Sequence, residues 1–149
     1  MKKLLITFLL ILLTSCDYSP IYSIEDSKFR INEIKTTGNK KINKIFIKKI
    51  TKFKNNSSNI IYDLEVSSSK IVRSITKDER GKIKILEMII SFNINIKRND
   101  KILKNKNISN NFTYNNSSNK FELNQYEKDI QNKIIENAVE EFILTVKTL

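Results

Sequence analysis

Glu87-Met88-Ile89-Ile90-Ser91-Phe92-Asn93-Ile94-Asn95-Ile96-Lys97 is the stretch that decides the fold. Met88, Ile90, Phe92, Ile94 and Ile96 take every second position. Glu87, Ser91, Asn93, Asn95 and Lys97 stand between them, and only Ile89 interrupts the polar set. Side chains of a strand point alternately to opposite faces, so this pattern predicts a strand with one face packed and the other wet. Such a strand needs neighbours to satisfy its backbone and a second layer to cover its apolar face.

Both neighbours can be read on either side of it. Upstream, Tyr62, Leu64 and Val66 alternate with Asp63, Glu65 and Ser67, and the same strand continues through Ile71 to Ile75. Lys77-Asp78-Glu79-Arg80-Gly81-Lys82 joins the two strands as a charged hairpin in which glycine is suited to positive φ. Downstream, Arg98-Asn99-Asp100-Lys101 is a second turn. The segment from Ile102 to Tyr114, with Ile108, Phe112 and Tyr114 on one parity, reads as the third long strand of a meander.

The covering layer comes from two amphipathic segments. Between Asn39 and Phe53, Ile42, Ile45, Phe46, Ile50 and Phe53 recur at three- and four-residue steps while Lys40, Lys41, Lys44, Lys48, Lys49 and Lys52 fill the other face. The narrow apolar stripe favours a core-packing helix over one lying on a membrane surface. Near the C-terminus, Tyr126, Ile130, Ile134, Ala138 and Phe142 form one row. Ile135, Val139, Ile143 and Val146 form an adjacent one, which predicts a helix from Asn124 to Lys147. Lys28 to Thr36, with Phe29 and Ile31 alternating before Ile34 breaks the step, predicts a first strand closed by a turn at Thr37-Gly38-Asn39. After a helical crossover this strand can join the meander in parallel. The expected fold is α+β: residues 28–149 form a single two-layer sandwich, a four-stranded mixed sheet with two helices packed on one face.

A different pattern precedes the domain. Met1-Lys2-Lys3 opens the chain, an apolar run extends from Leu4 to Leu13, and Leu13-Thr14-Ser15-Cys16 ends in the chain's only cysteine. A charged start, a hydrophobic stretch too short to span a bilayer stably and small residues before cysteine describe a bacterial lipoprotein signal. Residues 1–15 are expected to be removed, leaving Cys16 as the lipidation site with acyl chains on its thiol and amine. With no second cysteine there is no internal disulfide to form. Residues 16–27, with Pro20 among alternating polar and apolar positions, read as the lipidated N-terminus and a tether.

The net charge is +11, and loss of Lys2 and Lys3 with the signal leaves +9. An exported, lipid-anchored chain does not meet nucleic acid, so its basic surface suits anionic lipid or glycolipid. The crowding of Lys, Asn and Ile is also what an AT-rich genome yields, so the charge alone decides little. The chain has no histidine, which removes the commonest general base and metal ligand. Asp78-Glu79 and Glu140-Glu141 read as solvated acids. Gly38 and Gly81 are isolated rather than part of a phosphate loop. The expectation is therefore no enzyme, no cofactor and no metal site.

The lipobox followed by Cys16-Asp17-Tyr18-Ser19-Pro20-Ile21-Tyr22 resembles the start of the lipopolysaccharide-assembly lipoproteins of the LptE family, where an aromatic residue, a proline and an aliphatic-tyrosine pair follow the cysteine. The order of elements is also similar: strand, helix, a meander whose hairpin here carries Asp78-Glu79-Arg80-Gly81, and a closing helix, here Tyr126 to Leu149. The resemblance implies a non-enzymatic lipoprotein on the periplasmic side of the outer membrane. Its partners would be the lipopolysaccharide-inserting β-barrel LptD, which it would help assemble and plug, and lipopolysaccharide itself. Glycolipid contact is expected near the meander hairpin, on Lys70, Arg73, Lys77, Arg80, Lys82 and Lys84. The alternative is a hairpin whose charges only discourage edge-to-edge pairing. Asp17 departs from the family's glycine and resembles an inner-membrane retention signal. An auxiliary lipid-binding lipoprotein of an ABC-type lipid transport system is the competing function.

Overall fold

The structure, a computed structural model, describes residues 29–55 and 58–149. The expected signal peptide, the lipidation site Cys16, Asp17 and the tether to residue 27 lie outside the described residues. The elements are β1 (Arg30–Gly38), α1 (Lys40–Ile50), a 3-10 turn (Thr51–Asn55), β2 (Ile61–Lys77), β3 (Ile83–Arg98), β4 (Lys101–Asn115) and α2 (Lys120–Lys147). The strands form one sheet in the order β1-β2-β3-β4, with β1 parallel to β2 and the other two pairings antiparallel. This is the mixed four-stranded sheet with two helices that the pattern predicts.

Alternation in β3 sets the layers. Met88, Ile90, Phe92, Ile94 and Ile96 are buried, as are Tyr62, Leu64 and Val66 on β2. Phe46 of α1 lies 4.6 Å from the Phe92 ring and 5.8 Å from the ring of Phe142 on α2. One phenylalanine thus joins both helices to the same face of the sheet. Ile42, Phe46 and Ile50 are fully enclosed, so the lysine-rich helix packs on the core.

Local chemistry explains where the elements start and stop. Asn39 caps α1 by accepting from the Ile42 N–H, and Asn119 caps α2 by accepting from the N–H groups of Phe121 and Glu122. The cap places the start of α2 at Lys120, four residues before the position read from its apolar rows, because Leu123 is buried in the first turn but stands outside both rows. Tyr126, the first member of its row, is correspondingly half exposed and meets Tyr114 edge-on at 6.2 Å. β1 runs to Gly38, past the expected end at Thr36, and its register shifts between Ile31 and Ile34, where the sequence alternation breaks. In the hairpin, the Asp78 carboxylate accepts from the N–H groups of Arg80 and Lys82 while Gly81 takes φ +76°. Asn99 and Asp100 both have positive φ, as a tight two-residue hairpin requires.

The face away from the helices is a polar lattice. The Asn93 amide donates to Asn107 at 2.6 Å, Asn105 donates to both Asn93 and Asn95, and the Ser91 and Ser109 hydroxyls lie 2.8 Å apart. Two acids are fixed into it. Glu65 accepts from Lys97 and Asn95, and Glu87 accepts from Arg73 at 2.7 Å and from Asn111. These donors hold both carboxyls below the ordinary carboxylate value, led by Lys97 for Glu65 and by Asn111 for Glu87.

Candidate functional site

The six basic residues singled out from sequence occupy three different places. Lys77, at the end of β2, precedes the hairpin turn that holds Arg80 and Lys82, and Lys84 follows it on β3, 3.8 Å from Asp78. Arg73 pairs across the strands with Glu87 and lies on the polar face, its charge already engaged. Lys70 pairs with Ile90 and points the other way, toward the helices, where its ammonium donates to Gln131 of α2 at 2.9 Å. The hairpin brings four of the six together. Lys70 and Arg73 are separated because three positions along a strand reverse the face.

Lys70 belongs instead to a groove of about 740 Å³ between α1 and the first half of α2. Lys41 and Lys44 line it from α1, Lys128, Glu127 and Gln131 from α2. Burial pushes the Lys70 ammonium below the ordinary lysine value. Glu127 acts in the opposite direction and Lys41 reinforces the drop. Glu127 also accepts from the Tyr114 hydroxyl at 2.7 Å, and burial together with that carboxylate raises the Tyr114 phenol above its ordinary value. The groove therefore presents four ammonium groups and side-chain amides around one carboxylate that already has a phenolic donor. That donor set suits an anion.

Lys41, Lys44 and Lys128 were not singled out from sequence. Their only linear signal is the i, i+3 spacing of Lys41 and Lys44 on a helix rich in lysine. Their meeting with Lys70 depends on the parity of β2 and on the packing of α2 beside α1. Among the described residues, no group of three or more His, Cys, Asp and Glu side chains converges as a metal site, and no helix is long and apolar enough to cross a membrane.

No family model and no curated relative matches the sequence. Several solved structures match the fold. The rare lipoprotein B of Shewanella oneidensis superposes with a TM-score of 0.57 at 11% identity, over 78% of this chain and 94% of that one. A minor lipoprotein of Acinetobacter baumannii gives 0.57 at 14% identity, over 78% and 90%. Lipoprotein B of Nitrosomonas europaea gives 0.56 at 11% identity, over 78% and 83%. The chain shares its α+β fold with these bacterial lipoproteins over most of their length.

Proposed function

We propose that the chain is an LptE-type lipoprotein of the outer membrane that helps assemble and plug the lipopolysaccharide-inserting barrel LptD and assists lipopolysaccharide transport to the cell surface. The observation that carries this reading is the cover of 94% of the Shewanella oneidensis rare lipoprotein B by a domain that follows a lipobox ending at Cys16. Rare lipoprotein B is of the LptE family. The Pro20-Ile21-Tyr22 segment after the anchor and the basic surface support the same role. In this reading the protein performs no covalent chemistry and binds its ligand by charge and shape.

Between the two basic surfaces, the groove is the better fit for the phosphates of lipid A. Its lysines converge and one is held in place by Gln131, whereas at the hairpin Lys84 sits beside Asp78. Depleting the protein tests the role: surface lipopolysaccharide and correctly assembled barrel should fall together. Normal levels of both would contradict it. Asp17 favours the competing transporter role, which predicts an acylated protein confined to the inner-membrane fraction.

A further inference from the structure

We infer that the end of the domain formed by the β3–β4 turn and the last turns of α2 docks on an anionic bilayer surface. The inference rests on the reading of Cys16 as a lipid anchor. Four large apolar side chains stand exposed at this end: Ile102 at 57%, Leu103 at 47%, Leu144 at 49% and Leu149 at 49%. Ile96 pairs with Lys104 and Lys97 with Ile102, so Leu103 is the extra residue of a bulge on the edge strand. Lys106 of β4 meets Glu141 of α2 at 3.3 Å, and Leu144 lies one helical turn beyond Glu141. The strand and the helix therefore bring their leucines to the same end.

Charge and chain direction select the occupant. Arg98, Lys101, Lys104 and Lys147 are exposed around these apolar residues, and Asp100 is the one carboxylate in residues 97–104. Cations ringing apolar side chains match phosphate headgroups over acyl chains. The chain also enters the domain here. Arg30 pairs with Ile61 at the start of β2, and Asp63, two residues on, pairs with Lys97 at the end of β3. Phe29 stands thirteen positions after Cys16, a reach of at most about 45 Å. The far hairpin lies roughly 50 Å away along the sixteen residues of β3. An anchor at Cys16 therefore keeps the leucine-bearing end nearest the membrane, where insertion of about 5–10 Å would bury those side chains.

The test uses the chain without residues 1–15 and with Cys16→Ser, floated with vesicles of phosphatidylglycerol and phosphatidylethanolamine. The parent should float, and a Leu103→Glu/Leu144→Glu variant should lose about tenfold or more in partitioning. A Lys77→Glu/Arg80→Glu/Lys82→Glu variant, altered at the opposite end by a larger change of charge, −6 against −2, should still lose much less. Equal losses in the two variants, or a parent that stays with the soluble fraction, would overturn the inference. A fluorophore on Leu144→Cys in the Cys16→Ser background gives a second readout that survives misfolding of the double variant. It should shift to an apolar environment with vesicles, and an unchanged spectrum counts against docking. Acyl mass on Cys16 of the native protein is measured separately, so failure of the anchor reading is distinguished from failure of the docking surface.

Discussion

Gly38 passes so close to Ser68 that a Cβ on the glycine would stand 2.1 Å from the serine carbonyl oxygen. The same carbonyl accepts the Asn39 N–H at 2.9 Å, and the Ser68 hydroxyl donates back to the Asn39 carbonyl. This contact lets β1 end and α1 begin without leaving the sheet. Gly38→Ala meets two obstacles, a backbone oxygen that cannot move aside and a φ of +84°. The expected loss is about 2–4 kcal/mol, read from the urea midpoint.

Phe46 touches both the sheet and α2, so its removal separates two layers at once. Phe46→Ala should cost about 3–5 kcal/mol. Phe121→Ala, at the exposed start of α2, should change stability by less than about 0.5 kcal/mol. Equal losses in the two variants would argue against this packing.

The polar lattice makes the fold sensitive to acid. Glu65 and Glu87 sit below their ordinary value of 4.5 in the folded state, so on acidification the unfolded chain takes up their protons first. Their stabilisation is complete above that value and is lost as the pH falls through it toward the folded-state values. Glu87→Gln should leave a protein whose stability depends less on pH between about 5 and 3. Urea titrations across that range check it.

Tyr114 carries the opposite dependence. Its phenol is raised by burial and by Glu127, so its contribution is intact below about pH 10 and is lost as the unfolded chain ionises above it. Tyr114→Phe should cost about 1–3 kcal/mol at neutral pH and flatten the alkaline decline.

For lipopolysaccharide binding, Lys41→Glu/Lys44→Glu/Lys128→Glu should weaken affinity by about tenfold or more, with a smaller effect from the triple reversal at Lys77, Arg80 and Lys82. Affinity on immobilised lipopolysaccharide reads the difference. Equal effects would return the contact to the hairpin.

The alternation from Met88 to Ile96 was legible because a strand with one dry face leaves a two-residue period in the sequence. The rows from Ile130 to Val146 were legible for the same reason at helical spacing. Asn119 was not, since a capping residue looks like any other asparagine in an Asn-rich loop. The site was harder to read than the fold. Lys70 and Arg73 look like neighbours in one basic cluster, yet strand parity sends them to opposite faces. Lys128 comes near Lys70 only through the packing of α2. Charge along a chain reports composition, and its convergence is a property of the tertiary structure.

The proposed role is work on the lipopolysaccharide-inserting barrel. Affinity purification of the full-length protein from detergent-solubilised membranes, followed by mass spectrometry of what accompanies it, tests that role. The large β-barrel LptD should be the main stoichiometric partner. Recovery of a transporter permease in its place would contradict it.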